Sequence, residues 1–106
     1  MFTKQTAIIK VKKFLGQCQE LSFTIDRAVL FGSIVQGKAT EYSDIDLALF
    51  SEKFGDNILK NIDLIGPISI HFPDIDVHAY PSKYFKQKGI LMEQIKKHGI
   101  EIQLHK

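Results

Sequence analysis

The chain has 106 residues, of which 44% are hydrophobic and 25% are charged, and its formal net charge is +2. This length and composition predict a single compact domain over residues 1–106, and they exclude a disordered chain, a coiled coil and a second substrate-binding domain. Because the lysines are spread along the sequence, the mild positive charge does not indicate a nucleic-acid partner.

The expected compartment follows from the cysteine content and from the length of the apolar runs. Cys18 is the only cysteine, which excludes an internal disulfide, and the chain lacks the Cys and His spacings typical of a zinc site. No apolar run is long enough to cross a bilayer, and residues 1–4 do not open a hydrophobic signal peptide. We therefore expect a cytoplasmic protein without a membrane segment.

The first predicted element is an amphipathic helix between Thr3 and Leu21. Its apolar side chains recur at the spacing i, i+3, i+4 and i+7, whereas several lysines lie on the opposite side. Thr3 or Thr6 can cap the start of this helix, and Gly16 is expected to weaken it and to end it early. The apolar stripe predicts packing against the core.

The first predicted strand covers residues 25–31, because the continuous apolar run at 28–31 has strand length and ends at Gly32 and Ser33. Residues 34–36 have the length of a short helical turn before Gly37. Such a turn leaves backbone amides without partners, and a row of free amides binds anions such as phosphate.

The second predicted strand covers residues 44–50, where two acids alternate with apolar residues. The two-residue period places Asp44 and Asp46 on one face of the strand, about 7 Å apart. Two such carboxylates can share divalent cations, because hard oxygen ligands are those that Mg²⁺ prefers. Solvent-facing acids on an amphipathic strand are the alternative interpretation.

A third predicted strand at 75–80 again carries acids among apolar residues. Asp74 and Asp76 have the same parity, so periodicity alone does not choose between them as a third carboxylate. Asp74 follows Pro73, which has no amide to donate, at the frayed start of the strand, whereas Asp76 lies inside it. We therefore favour Asp76. His78 shares its face, but we expect an ordinary half-buried sheet histidine there.

The rest of the chain is expected to add a helix at 57–66 and a short edge strand at 68–72. An interrupted helical region is expected at 82–98 and an extended tail at 100–104. Pro67 is expected to close the helix, Ser82 to cap the interrupted region and Gly89 to break it. This order of elements predicts a small mixed α/β (α+β) fold in which helices cover a mixed sheet.

Phosphate-binding amides beside strand carboxylates are what metal-assisted phosphoryl or nucleotidyl transfer requires. No basic residue in the pattern balances Asp44, Asp46 and Asp76, so a metal ion is expected to supply the missing charge. The residues therefore predict a nucleotide and metal site built from Gly32, Ser33 and these three acids.

The sequence from Gly32 and Ser33, through the spacer that contains Gly37, to the segment at 43–47 resembles the signature of the DNA polymerase beta-like nucleotidyltransferases. The short chain most resembles their minimal group, the MntA-type antitoxins that are encoded beside HEPN toxins. Members of this group often carry an arginine immediately before the glycine, and this chain has Gln36 there. One fixed positive charge is therefore missing, and Lys38 is a mobile substitute for it.

This resemblance implies the palm fold of nucleotidyltransferases, with Gly32 and Ser33 binding the nucleotide and Asp44, Asp46 and Asp76 holding two Mg²⁺ ions. The implied reaction transfers AMP from ATP to a hydroxyl of a partner protein, with a tyrosine of a HEPN-type toxin as the acceptor. The alternative is a non-catalytic antitoxin that masks its toxin by contact and retains a degenerate nucleotide site.

Overall fold

The computed structural model describes residues 2–41 and 43–104. Helices and strands follow one another along these residues, and a four-stranded mixed sheet forms the centre. The helices are α1 (Lys4–Glu20), α2 (Ile58–Ser69), a short 3₁₀ helix (Ser82–Lys86) and α3 (Ile90–His98). The strands are β1 (Arg27–Phe31), β2 (Ile45–Ser51), β3 (Ile75–Pro81) and β4 (Ile100–Ile102). This architecture confirms the predicted fold class.

The sheet has the strand order β3-β2-β1-β4. Strand β1 is antiparallel to both β2 and β4, whereas β2 is parallel to β3. Parallel neighbours need a crossover connection, which α2 provides here. In this register Asp46 pairs with Phe31 of β1 on one side and with Asp76 of β3 on the other.

The alternation of side chains along the strands divides the core between the two faces of the sheet. One face packs against α1 and α2 and buries residues such as Leu30 and Leu47. The other face packs against α3 and buries residues such as Val29 and Phe50. Asp46 has the parity of Phe50, so its carboxylate lies on the α3 face, at the end of β2 farthest from Phe50.

Helix α1 has the predicted cap and the predicted extent, because it covers Lys4–Glu20 with Leu21 as its C-cap. The Thr6 amide donates to the Thr3 hydroxyl at 3.1 Å, and the Thr3 amide donates to the Thr6 hydroxyl at 2.9 Å. The expectation that Gly16 ends the helix early is wrong, because α1 continues for another turn. A glycine inside a helix costs about 1 kcal/mol relative to alanine. The burial of Phe14 and Cys18 on either side of Gly16 offsets that cost.

Helix α2 does not end at Pro67, and the edge strand predicted at 68–72 is wrong. Pro67 lies inside the helix, near its last turn. There the missing proline amide removes only one backbone hydrogen bond. Ile65 and Ile68, on either side of the proline, are both buried in the core. Tertiary packing of these two side chains therefore holds the last turn in helical form, against the local preference of the sequence.

The last third of the chain follows the prediction except at Ser82. Its hydroxyl donates to the carboxylate of Asp26 instead of capping a helix, and Pro81 is the residue that precedes the 3₁₀ helix. Gly89 interrupts the helical region as expected, with a φ of 151° at the start of α3. The extended tail forms β4 and pairs with β1. None of the helices in the described part of the chain has both the length and the hydropathy of a membrane span.

Candidate functional site

The turn after β1 is closed by backbone hydrogen bonds. It contains two glycines with left-handed backbone, Gly32 with a φ of 82° and Gly37 with a φ of 72°. The Gln36 amide donates to the Gly32 carbonyl at 3.1 Å, and the Lys38 amide donates to the Ser33 carbonyl at 2.9 Å. These bonds hold a single helical turn, as the sequence predicts, which is not continued into a helix.

The start of this turn offers unpaired donors to an anion. Within residues 2–41 and 43–104, no hydrogen bond is donated by the backbone amides of residues 33–35. Ser33 is half-buried, whereas Gln36 and Lys38 are exposed at the far side of the turn. Consecutive free amides form the kind of concave donor group that binds phosphate oxygens. Tyr42, in the polar loop before β2, lies outside the described residues.

Gly32 leaves the space that the carboxylate of Asp46 occupies. A Cβ atom added to Gly32 would approach Asp46 Cγ to 3.0 Å and Asp46 Cβ to 3.2 Å, and it would collide with Asp46 Oδ2. The positive φ independently disfavours any residue with a side chain. Gly32 therefore has two separate reasons to be glycine, and one of them is the position of Asp46.

The parallel register of β2 and β3 brings two carboxylates and an imidazole together. Asp46 pairs with Asp76, and Ala48 pairs with His78. His78 Nε2 lies 3.4 Å from Asp46 Oδ1 and 3.4 Å from Asp76 Oδ2. One potential ligand atom from each of Asp46, Asp76 and His78 lies within 4.8 Å of the others. This group, called here the Asp-Asp-His cluster, has the dimensions of a site for one cation.

The imidazole of His78 is held in place while its Nε2 atom has no hydrogen-bond partner. The ring packs edge-on against Phe31 with the centroids 5.0 Å apart. Nε2 is buried and lies 3.4 Å from an oxygen of each carboxylate, but neither contact has the geometry of a hydrogen bond. Within the described residues, Nε2 therefore has no hydrogen-bond partner. His78 is half-buried on β3, as expected of a sheet histidine, and its ring also lies beside the two carboxylates. The available signal was its parity with Asp76, two residues earlier on β3.

The surroundings of Asp46 raise the pKa of its carboxyl group. Burial is the main cause, since it disfavours the ionised carboxylate. Contact with His78 acts in the opposite direction, and the negative charges of Asp76 and Asp44 raise the pKa further. A bound cation would relieve both the desolvation and the repulsion. Because of this excess of negative charge and the free Nε2 atom, the cluster fits a divalent metal ion.

Asp44 and Asp74 lie at the edge of this arrangement. Asp44 is exposed, directly before β2, and is not part of the Asp-Asp-His cluster, although its charge acts on Asp46. Asp74 precedes β3 and forms an ion pair with Lys10 of α1, with Nζ 2.6 Å from Oδ2. Since Asp74 lies outside the strand, its shared parity with Asp76 does not bring it to the same site.

Comparison with known proteins gives a family and two similar folds. The sequence matches the family model for a nucleotidyltransferase domain over residues 11–102, and no curated protein gives a significant match. A protein from Sulfolobus solfataricus, provisionally named a nucleotidyltransferase, is 12% identical with a TM-score of 0.67, over 90% of this chain and 78% of its own. A chain in a crystal structure of a toxin–antitoxin with AMP-PNP is 21% identical with a TM-score of 0.62, over 92% of this chain and 73% of its own. At these identities the two structures show a shared fold alone.

Proposed function

We propose, because the chain belongs to the nucleotidyltransferase domain family, that it transfers AMP from ATP to a hydroxyl of a partner protein. The observation that carries this proposal is the pairing of Asp46 with Asp76 across β2 and β3, beside the free amides after Gly32. Carboxylates next to a phosphate-binding turn are the parts that nucleotidyl transfer needs, whereas a purely structural sheet gains nothing from them.

The nucleotide site would consist of Gly32 and Ser33 together with the next two amides of the turn. Their N–H groups would bind the β and γ phosphate oxygens of ATP and so hold the triphosphate at the edge of the sheet. Asp44, Asp46 and Asp76 would hold Mg²⁺ ions, which supply neutralisation of the phosphate charge when bound. The exposed position of Asp44 suits a ligand that reaches the metal on the triphosphate side.

The transfer itself would use Asp76 at the open side of the site. The side chain of Asp76 is 56% exposed, whereas that of Asp46 is only 28% exposed. An incoming hydroxyl can therefore reach Asp76, whose carboxylate oxygen accepts the hydroxyl proton. The acceptor oxygen then forms its bond to the α phosphorus of ATP. The bond from that phosphorus to the bridging oxygen breaks, and pyrophosphate leaves.

A protein acceptor agrees with the architecture of the chain. The site is open to solvent at Asp76, so an acceptor hydroxyl on the surface of another macromolecule can reach it. The fold shared with a chain of a toxin–antitoxin supports a toxin as that partner. The HEPN type of the toxin and a tyrosine as the acceptor follow from the sequence resemblance to MntA-type antitoxins.

A second candidate function is an antitoxin that binds its toxin without modifying it. It is favoured by Gln36, which replaces an arginine common in the resembling group, and by an exposed apolar surface on α2. Ile58, Leu59 and Ile62 of that helix are all more than half exposed. Such a surface is typical of protein–protein contact.

One experiment separates the two functions. The chain is incubated with Mg²⁺, ATP labelled at the α phosphate and the protein encoded by the neighbouring gene. Transfer of label to that protein, lost in Asp76→Asn and retained in Asp74→Asn, supports the enzyme. A stable complex that carries no label supports the binding antitoxin and contradicts the transferase.

A further inference from the structure

The Asp-Asp-His cluster contains a nitrogen atom that the proposed reaction does not use. His78 Nε2 is buried between the carboxylates of Asp46 and Asp76, 3.4 Å from an oxygen of each, and it lacks a hydrogen bond among residues 2–41 and 43–104. A buried ring nitrogen without a partner is costly unless something binds it. Its surroundings are two acids, so the missing partner is expected to be a cation.

The chemistry of this donor set differs from that of carboxylates alone. Mg²⁺ prefers oxygen ligands and keeps several waters, whereas neutral imidazole is a good ligand for transition metals. We propose that His78 Nε2 is the third protein ligand of a metal position between Asp46 and Asp76, and that this nitrogen ligand gives the position a preference for divalent transition metals over Mg²⁺. This inference rests on the proposed function in one respect, because both place a metal ion at the carboxylates of Asp46 and Asp76.

The position of the ring supports a ligand rather than a mobile surface histidine. Three features fix it: its place inside β3, its register opposite the small residue Ala48, and its edge-on contact with Phe31. A ligand held in this way loses little conformational entropy when a metal binds. In the competing explanation, His78 binds no metal and donates a hydrogen bond between the two carboxylates. The experiment below distinguishes this role from that of a metal ligand.

The test uses Mn²⁺ alone, without nucleotide or partner protein. Binding of Mn²⁺ to the parent chain is followed by loss of the EPR signal of the free ion, and pulsed EPR detects nitrogen hyperfine coupling to the bound ion. We expect a nitrogen coupling in the parent and none in His78→Gln. Loss of a group that only hydrogen-bonds to a metal ligand weakens metal binding by about 10–100-fold, so loss of the ligand itself should weaken Mn²⁺ binding by at least about tenfold. Mg²⁺, measured by competition, should bind His78→Gln and the parent within about twofold of each other.

The matched control is His71→Gln, the same substitution at an exposed histidine after α2. It should keep both the nitrogen coupling and the parental Mn²⁺ affinity. If Mn²⁺ binds the parent without nitrogen coupling, or does not bind in the absence of nucleotide, the assignment of His78 is overturned. A parent spectrum without nitrogen coupling overturns the assignment even if His78→Gln does not fold.

The outcome is independent of the transferase assay. Nitrogen coupling in a chain that transfers no AMP would keep His78 as a metal ligand and contradict the proposed function. AMP transfer by a chain whose bound Mn²⁺ has no nitrogen coupling would support the proposed function and contradict His78 as a metal ligand.

Discussion

The close approach of Gly32 to Asp46 gives a quantitative prediction for the stability of the fold. Gly32→Ala introduces a side chain at a φ of 82°, and the new Cβ lies 3.0 Å from Asp46 Cγ. The left-handed backbone costs roughly 1–2 kcal/mol for a residue with a Cβ. The collision adds about 1–3 kcal/mol, the usual range for overpacking. The total is therefore about 2–5 kcal/mol.

Gly37→Ala is the control that isolates the backbone contribution. Gly37 has a similar φ of 72°, but a Cβ there meets nothing within 4 Å. Gly37→Ala should therefore cost only the roughly 1–2 kcal/mol of the left-handed backbone. At about 4 °C per kcal/mol for a domain of this size, we expect Tm to fall by about 4–8 °C for Gly37→Ala and by about 8–20 °C for Gly32→Ala.

A double-mutant cycle identifies the collision partner. Asp46→Ala removes Cγ and Oδ2, the two atoms that the new methyl group meets most closely, so the cost of Gly32→Ala should fall by about 1 kcal/mol or more in that background. The assay is denaturant unfolding followed by circular dichroism, with the free energy of unfolding compared among the four variants. Equal losses for Gly32→Ala and Gly37→Ala, or strict additivity with Asp46→Ala, would refute the argument that Gly32 makes room for Asp46.

Three further predictions concern the carboxylates. Without divalent ions, Asp46→Asn should melt at or above the parent temperature, because it removes a desolvated charge. Mg²⁺-ATP at a hundredfold excess over its Kd should raise the Tm of the parent by about 10 °C and should not raise that of Asp46→Asn. A retained shift in the variant would exclude Asp46 as a ligand. Because the pKa of Asp46 is raised in the folded state, its ionisation removes stability as pH rises through that pKa, so the Tm advantage of Asp46→Asn should grow from pH ~4 to pH ~7; a constant difference would contradict this sign. Asp76→Asn should keep ATP binding but lose AMP transfer by about a hundredfold, while Asp74→Asn, which breaks only the Lys10 ion pair, should stay near the parent; the opposite pattern would assign the role to Asp74.

Strands β1 and β2 could be predicted from the sequence because their periodicity is local, whereas the alternation at 68–72 predicted a strand that does not form. The apolar run before Gly32 and the alternation around Asp46 depend on a few neighbouring residues, and both elements form where expected, within one or two residues. The end of α2 could not be predicted in this way. Pro67 is a strong local signal for a helix end, but the free energy gained by burying Ile65 and Ile68 is larger than the cost of the proline. That burial depends on the whole core and not on neighbouring residues.

The composition of the site depends on strand register, which periodicity leaves open. A shift of one residue between β2 and β3 would place Asp46 opposite Ile75 or Val77 and would turn Asp76 to the other face. The observed parallel register instead pairs Asp46 with Asp76.

The same register explains why the sequence of β2 does not show the third member of the Asp-Asp-His cluster. The next residue on the face of Asp46 is Ala48, which has no polar side chain. The imidazole comes from the neighbouring strand, since Ala48 pairs with His78. A larger side chain at position 48 would compete with the imidazole for this face, because directly paired residues have Cβ atoms only about 5 Å apart. A small residue in β2 and a histidine in β3 therefore act together: one leaves the space, and the other brings a nitrogen within 3.4 Å of both acids.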